Sequence, residues 1–296
     1  MKIIAITGLN GVIGKILGEE IPATDQIVDL YHSKKYSGHA KVYKHLKLDL
    51  LKKDKISNVL KKVKPDVIIH LAAITHIDRC EKDKKNGKNG EVWKVNVEGT
   101  AEIAKYCAKH KIQLIFLSTE CVFDGKQKYF SEKSKKNPIN WYGFTKSKAE
   151  DSILSSGASA AIIRSVVAYH QNDNAKTIYG KILKELSSGN KIQAVSDQFF
   201  TPTHTPDIAK AINKVVEKGF LGIYHVVPKK DLTPYDLAKL IAVANNFSPS
   251  RVMKVTLESY YGPERASLRL HNASLRGLRI NKILRIKPRS PEEVLL

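Results

Sequence analysis

The chain has 296 residues, of which 42% are hydrophobic, and a formal net charge of +21. This length allows one large or two modest domains with a buried core. No apolar run approaches the roughly 20 residues that a transmembrane helix needs, so we expect no membrane contact. Residues 1–8 are too short for the apolar core of a signal peptide, and we interpret them as a first strand of a cytoplasmic protein.

Three cysteines, Cys80, Cys107 and Cys121, form no Cys-x-x-Cys pair. This sparse, odd set excludes a disulfide framework or a zinc site, and fits a reducing compartment. No histidine pair has metal-ligand spacing, so we expect no metal. Residues 251–290 hold ten lysines and arginines against two acids. Such a basic surface attracts anions, but no nucleic-acid-binding motif accompanies it, so we do not expect nucleic acid. We interpret most of it as a solvated, lysine-rich surface, and a diphosphate-bearing substrate would explain part of it.

A glycine turn joins the first strand to the first helix. Residues 2–6 are almost all apolar, Gly8, Gly11 and Gly14 follow at three-residue intervals, and residues 15–21 have a helical pattern. Glycines at this point let the backbone approach a pyrophosphate, and the helix N-terminus supplies free N–H groups. The pattern therefore predicts a dinucleotide site.

Residues 26–30 read as the second strand, with Asp29 near its end. An acid there holds a ribose 2′-hydroxyl and suggests NAD. His32, Lys34 and Lys35 follow, and cations there suit the 2′-phosphate of NADP. The residues leave this choice open, and we expect NADP (as NADPH) in preference to NAD.

Strand and helix patterns then alternate through residue 164. This alternation predicts an α/β fold, a Rossmann-type doubly wound parallel sheet with a smaller C-terminal substrate lobe. We assign 1–168 to the dinucleotide-binding domain, with 204–230 returning to it. The substrate lobe then comprises 169–203 and 231–296. Residues 91–110 are expected to form one long helix, and residues 81–90 an exposed loop.

Tyr142 and Lys146 lie four residues apart, so one helical turn places them on the same face. A lysine held beside a phenol favours the phenolate and lowers the pKa of the tyrosine. The hydroxyl of Thr119, at the end of an apolar strand, could share a carbonyl oxygen with that phenol. These three side chains predict general-acid catalysis of ketone reduction.

The glycine turn, Leu71-Ala-Ala, Asn96, Ser118-Thr119 and Tyr142-x-x-x-Lys146 occur in one order and spacing. Together they resemble the extended short-chain dehydrogenases/reductases over residues 1–170. Further stretches around Asp124, Gln198 and Asp207 are similar to the dTDP-4-dehydrorhamnose reductases, which reduce the C4 ketone of a nucleotide-linked 6-deoxy sugar. The regulatory subunits of methionine adenosyltransferase share much of the pattern without being sugar enzymes.

The resemblance implies a nucleotide-sugar substrate, and a homodimer is compatible with it because dimers are common in the family. Thr119, Tyr142 and Lys146 would be the catalytic residues. Cofactor contacts are expected, in addition to Asp29, from Gly8, Asn10, Gly11, Val12, Ile13, Gly14, Asp49, Leu50, Leu71, Ala72, Ala73, Asn96, Tyr142 and Lys146. Substrate contacts are expected from Thr75, Glu120, Cys121, Arg164 and Gln198, together with the basic tail.

Cys121 departs from the reductase pattern and resembles the bifunctional 3,5-epimerase/4-reductases, including the enzymes that form UDP-rhamnose. If the strand stays extended, Cys121 shares a face with Thr119. Its thiolate would then remove a proton next to the C4 ketone, with Lys181 as the second epimerisation residue. The prediction is an NAD(P)H-dependent 3,5-epimerase/4-ketoreductase of a nucleotide-linked 4-keto-6-deoxyhexose, making an NDP-rhamnose. The alternatives are a monofunctional reductase and a non-catalytic NADP-binding regulatory subunit.

Overall fold

The computed structural model describes residues 1–171 and 177–296. In chain order the strands are β1 (Ile3–Thr7), β2 (Gln26–Tyr31), β3 (Val42–Lys47), β4 (Val67–His70), β5 (Gln113–Thr119), β6 (Phe130–Ser131), β7 (Ala160–Ser165), β8 (Ala168–Tyr169), β9 (Ile192–Val195), β10 (Phe199–Phe200), β11 (Thr203–His204), β12 (Gly222–His225), β13 (Val252–Val255), β14 (Asn272–Ala273) and β15 (Leu275–Arg276). The α-helices are α1 (Val12–Glu20), α2 (Lys53–Val63), α3 (Ile77–Lys84), α4 (Glu91–Trp93), α5 (Thr100–His110), α6 (Trp141–Ser155), α7 (Ile178–Ser187), α8 (Thr205–Lys218), α9 (Pro234–Ala244), α10 (Leu257–Tyr261), α11 (Pro263–Ala266) and α12 (Pro291–Leu295).

Seven strands form one sheet in the order β12-β7-β5-β4-β1-β2-β3, and every pairing in it is parallel. Parallel strands covered by helices on both faces read as nearly continuous apolar runs, as residues 3–6 and 67–69 do. The predicted α/β fold with a Rossmann-type parallel sheet is therefore confirmed. β12 lies beside β7 at the edge of the sheet, while the two-domain division at residue 168 stays a prediction.

Alternate side chains of the strands supply two hydrophobic cores, one on each face of the sheet. Ile4 and Ile6 pack in the core that contains Leu17 of α1 and Ile212 of α8. Ala5 points to the opposite core, which includes residues of α2 and α5. A third core, containing Cys121, Phe130 and Leu275, lies under the short elements of the C-terminal lobe. None of the helices within the described ranges is long and apolar enough to cross a membrane.

One expectation for local structure is wrong, and a second is modified. Residues 81–90 are not a loop, because α3 runs to Lys84 and Gly87–Asn89 form a 3₁₀ turn. The carboxylate of Asp83 organises this stretch by accepting hydrogen bonds from the Asn86 side chain and the Val92 N–H, both at 2.8 Å. The helix expected over 91–110 is interrupted by a π-helical stretch, Lys94–Gly99, which contains Asn96. A widened turn of this kind often marks a functional position.

Candidate functional site

The turn between β1 and α1 tolerates only glycine at two of the predicted cofactor positions. Gly8 has a φ of +77°, and a Cβ there would lie 2.8 Å from the Ala72 nitrogen. A Cβ on Gly14 would lie 2.4 Å from the Gly8 carbonyl oxygen. Gly11 precedes α1, and Val12 and Ile13 form its first turn. The turn thus leaves backbone N–H groups at the helix start free to meet an anion.

A cavity of about 810 Å³ opens at the carboxyl ends of β1, β2 and β4. Its walls include several predicted cofactor residues: Gly8, Asn10, Asp29, Asp49, Leu50, Ala72 and Ala73. Four cations also line it, namely Lys15, Lys34, Lys35 and Arg79. Lys15 and Arg79 were not predicted as cofactor residues, because only the packing of α1 and α3 brings them to the cavity. The shape and charge of this cavity suit a dinucleotide.

Asp29 and Asn10 are both tied to the loop after β2. One Asp29 carboxylate oxygen accepts hydrogen bonds from the Tyr36 N–H at 2.8 Å and His45 Nδ1 at 2.9 Å. The Asn10 amide donates to the carbonyls of Lys34 and Lys35, each at 2.9 Å. Both predicted cofactor residues therefore shape the loop that carries the two lysines into the cavity.

A buried chain of hydrogen bonds runs from the end of β1 to the π-helical turn. The Thr100 hydroxyl donates to the Asn96 carbonyl at 2.8 Å, so it must accept the bond from His70 Nε2 at 2.9 Å. His70 Nδ1 therefore accepts the bond from the Thr7 hydroxyl at 2.7 Å. The donor and acceptor roles are thus assigned along the whole series of bonds, and His70 is a neutral imidazole with its proton on Nε2.

Asn96 clamps the loop after β4. Its side-chain oxygen accepts from the Ile74 N–H, and its amide nitrogen donates to the Ile74 carbonyl, both at 2.9 Å. The same amide donates to the Thr145 hydroxyl on α6 at 3.1 Å. Asn96 is 1% exposed and outside the cavity lining. It therefore positions the Ala72–Ala73 wall and the catalytic helix, which differs from the direct cofactor contact we expected.

The three predicted catalytic residues come together where β5 ends against α6. Asn140 caps α6 by accepting from the Gly143 N–H at 2.7 Å, which fixes the start of the helix just before Tyr142. The Thr119 hydroxyl lies close enough to the Tyr142 phenol to act on its pKa. Lys146, one turn later, is 2% exposed and donates to the Leu117 carbonyl at 2.7 Å.

Burial controls both titrating groups of this set. It raises the pKa of Tyr142 well above its ordinary value, and nearby Cys121 and Glu120 raise it further. Burial lowers the pKa of Lys146 to about 7, against the opposing effect of Glu150. The predicted net lowering of the tyrosine pKa is not found, because desolvation outweighs any effect of Lys146, whose amine bonds to the Leu117 carbonyl. Tyr142 is a protonated donor at neutral pH.

Cys121 lies beside Thr119, but through a turn rather than an extended strand. Glu120–Val122 form a 3₁₀ turn, and the Cys121 N–H donates to the Thr119 hydroxyl at 3.2 Å. The thiol donates to Glu120 at 3.7 Å, while Thr119 donates to the other oxygen of the same carboxylate at 2.7 Å. Burial, followed by the charge of Glu120, raises the pKa of Cys121 well above its ordinary value. The side chain is therefore a thiol at neutral pH.

Lys181 is exposed on α7. Helical spacing places it opposite Tyr179 and Leu183, which pack in the core that contains Cys121. The rest of the segment that suggested its role begins at Asp173, and residues 173–176 lie outside the described residues.

Comparisons with known proteins identify the family. The family described as RmlD substrate binding domain matches residues 1–295. The chain belongs to this family.

Relatives of this RmlD-family chain include both enzymes and a subunit. The dTDP-4-dehydrorhamnose reductase of Mycolicibacterium smegmatis is 26% identical, covering 84% of this chain and 71% of its own. Methionine adenosyltransferase 2 subunit beta of Danio rerio is 28% identical, covering 79% and 74%. A hypothetical dTDP-4-dehydrorhamnose reductase structure from Sulfolobus tokodaii has a TM-score of 0.81 at 27% identity, covering 97% and 96%. A Bacillus anthracis dTDP-4-dehydrorhamnose reductase in complex with NADP has the same fold, with a TM-score of 0.84 at 24% identity, covering 99% and 97%.

The structure gives Arg164 a role other than the substrate contact we expected. Arg164 is 1% exposed, and its Nε and one terminal nitrogen donate to Glu150 at 2.8 and 2.6 Å. Its other terminal nitrogen meets His225 at 3.2 Å. A guanidinium with all three nitrogens bound in the core belongs to the scaffold rather than to a substrate pocket.

The other expected substrate residues divide by exposure. Thr75 is exposed and Glu120 half-buried, so both are accessible. Gln198 donates to the Leu270 carbonyl at 2.7 Å. Several arginines of the basic tail also have structural partners, since Arg269 pairs with Asp78 and Arg289 with Asp207. These charges of the basic tail therefore form ion pairs that hold the C-terminal lobe in place. Within residues 1–171 and 177–296 no group of three or more His, Cys, Asp and Glu is placed to hold a metal ion.

The neutral His70 predicts acid-sensitive stability. Burial, followed by the charge of Lys146, lowers the pKa of His70 from 6.5 to about 3. Below about pH 6.5, His70 binds a proton in the unfolded state but not in the folded state. Stability therefore falls as the pH drops from about 6.5 toward 3. Between pH 7 and pH 5 we expect His70 to cost about 2 kcal/mol of unfolding free energy. Between pH 7 and pH 5, the unfolding free energy of H70Q, measured with urea, should therefore fall by about 2 kcal/mol less than that of the wild type. The exposed-histidine variant H39Q is the control, and equal pH dependence in H70Q and the wild type would contradict the assignment.

Proposed function

We propose that the protein is an NAD(P)H-dependent reductase of a nucleotide-linked 4-keto-6-deoxyhexose. The observation that carries the proposal is the convergence of Thr119, Tyr142 and Lys146 at the junction of β5 and α6. Relatives named dTDP-4-dehydrorhamnose reductase support the substrate class.

Each residue has a distinct task in the reduction. Bound NAD(P)H would supply the hydride for C4 of the sugar. Tyr142 donates its proton to the carbonyl oxygen, so the ketone becomes a hydroxyl, and its raised pKa keeps that proton in place at neutral pH. Thr119 would offer a second hydroxyl to the same oxygen by turning its proton away from Glu120, to which it donates in this structure. Lys146, when protonated, stabilises the negative charge left on the phenol oxygen.

We favour reduction alone over the epimerase/reductase. Cys121 lies next to Thr119, as the bifunctional alternative requires. Proton removal at C3 or C5 needs a thiolate, and burial with Glu120 holds the thiol protonated. The exposed position of Lys181 on α7 adds no acid from the opposite side.

Sugar NMR in D2O tests the proposal. The protein is incubated with dTDP-4-dehydrorhamnose, and with dTDP- and UDP-4-keto-6-deoxyglucose, each with and without NADPH. We expect NADPH oxidation and a new C4 hydroxyl, with no deuterium entering C3 or C5 when NADPH is omitted. Deuterium at both carbons would establish the epimerase. Cofactor binding without any turnover would instead support a regulatory subunit like methionine adenosyltransferase 2 subunit beta.

We also propose that NADPH is preferred to NADH. Lys34 and Lys35 are exposed at the cavity and are held there by Asn10. Asp29, which would repel a 2′-phosphate, already accepts bonds from Tyr36 and His45. The K34A/K35A variant should bind NADPH about tenfold or more weakly, with little change for NADH. Fluorescence titration measures both, and K61A/K62A on the exposed surface of α2 is the control. Equal weakening for the two cofactors would refute this preference.

A further inference from the structure

Helix α6 holds the end of β5 through three side chains spaced by one turn. Tyr142 lies by the Thr119 hydroxyl, and Lys146 donates to the Leu117 carbonyl. Glu150 receives the hydrogen bond of the Ser118 hydroxyl at 2.6 Å. Three consecutive strand residues are thus bound to three successive turns of the catalytic helix. The third turn, at Glu150, has no task in the reduction as described so far.

Glu150 is a fully buried carboxylate inside a network of donors. Arg164 binds both of its oxygens, and Lys136 lies 3.3 Å from one of them. Burial alone would raise the pKa of Glu150, but Arg164, Lys136 and Ser118 together hold it below its ordinary value. Burying such a charge is costly, and packed apolar side chains often replace a buried ion pair without loss of stability. The position of the charge therefore calls for a reason other than stability.

The charge of Glu150 acts on Lys146. Glu150 is the acid one turn away on the same helix, and it opposes the effect of burial on the Lys146 amine. β4 presents His70, which is neutral, and β5 presents the Phe116 ring at 3.8 Å from the amine and the Leu117 carbonyl. Glu120, Cys121 and Cys80, from the neighbouring turn and α3, act on Tyr142 instead. Among the described residues, Glu150 is the ionised acid that acts on the amine.

We propose that Glu150 is a positioning residue of the reduction: fixed by Arg164 and Ser118 behind the catalytic helix, it places a buried negative charge one helical turn from Lys146 and aligns that helix with Thr119. The proposal deepens the function proposed above and rests on it. It assigns to one buried carboxylate both the alignment of three catalytic groups and the charge of one of them. Glu150 itself touches neither sugar nor cofactor in this scheme.

NMR of protein labelled with ¹³C at the lysine Cε atoms tests the proposal without any substrate. An amine titrating near neutral pH is separated from surface lysines, and the K146M variant identifies its resonance. In E150Q we expect the Lys146 titration to move to lower pH by about one unit or more. D151N changes the neighbouring acid, which also contacts Lys136 but is half exposed, and should leave the titration in place.

The E150Q variant leaves Arg164 buried without its partner, so E150Q/R164M, which removes both charges, serves as the second variant. It should show the same downward shift. In both variants, reduction at pH 7.5 should fall by roughly eightfold and recover as the pH is lowered, because a one-unit drop from a pKa of about 7 cuts the charged fraction of the amine by about that factor. A simple loss of packing would lower activity equally at every pH.

The two proposals fail in different ways. If Lys146 titrates within a few tenths of a unit of the wild type in both folded variants, the role of Glu150 is overturned. If no 4-keto sugar is reduced by the wild type, the proposed function is overturned, while the NMR titration still decides whether Glu150 controls the lysine charge.

Discussion

The Y142F variant should lose reduction by roughly 10²- to 10⁴-fold, the range that a positioned general acid contributes. Tyr142 is the phenol beside Thr119 at the end of β5, and its raised pKa suits the proton donor that we propose for the site. Removing one oxygen leaves the ring and the helix in place. Affinity for NADPH should therefore change by no more than a few-fold. NADPH oxidation and fluorescence titration measure the two quantities separately.

The Y106F variant is the matched control, since it removes the hydroxyl of a largely buried tyrosine on α5. Its turnover should be close to that of the wild type. The proton-donor assignment would be wrong if Y142F reduced the substrate at more than a tenth of the wild-type rate. It would also be wrong if Y142F lost cofactor binding in step with turnover.

The G143A variant should lower turnover by about 10²-fold and destabilise the fold by about 1–3 kcal/mol. A Cβ on Gly143 would lie 1.9 Å from the Cys121 carbonyl oxygen and 2.7 Å from its carbon. Neither backbone atom can move aside cheaply, so α6 must shift away from the turn after β5. That shift separates Tyr142 from Thr119, whose contact defines the site. Steady-state kinetics and urea unfolding give the two effects.

G18A tests whether the effect at Gly143 is specific. Gly18 lies within α1, and a Cβ there would have its nearest neighbours, the side chains of Ala40 and Leu9, at 3.2 Å. Side chains give way more easily than backbone, so G18A should cost less stability and leave turnover nearly unchanged. Wild-type kinetics in G143A would show that α6 need not sit this close to Cys121.

The sheet was predictable because its signals are local. The central buried strands are marked by apolar runs, as in residues 3–6 and 67–69, because both faces of these strands are covered. Gly8 and Gly14 were identified by spacing alone, and the close approach of the Gly8 and Ala72 backbones explains why. The π-helical turn at Asn96 and the helix over Ile77–Lys84 were missed, because hydrogen bonds to distant residues such as Ile74 and Val92 stabilise them.

In the site, the motif spacing identified which side chains to consider, but not their electrostatic state. Tyr142 and Lys146 share a helix face for a local reason, one turn of separation. The direction in which the tyrosine pKa shifts depends on desolvation and on which carbonyl accepts the hydrogen bond of the lysine amine. The motif spacing reveals neither. The partners of Asp29, Arg164 and Cys121 were unpredictable for the same reason, since His45, Glu150 and the Glu120 turn are brought to them by folding.

The sequence by itself therefore determined the parallel sheet, the glycine turn and the identity of the Thr119, Tyr142 and Lys146 set. Periodicity and short-range spacing encode these features along the chain. Only the tertiary structure decided which charged side chains form ion pairs within the fold, and which side chains of the site are protonated at neutral pH. Those properties depend on burial and on partners far apart in the chain, as with Arg164 and Glu150.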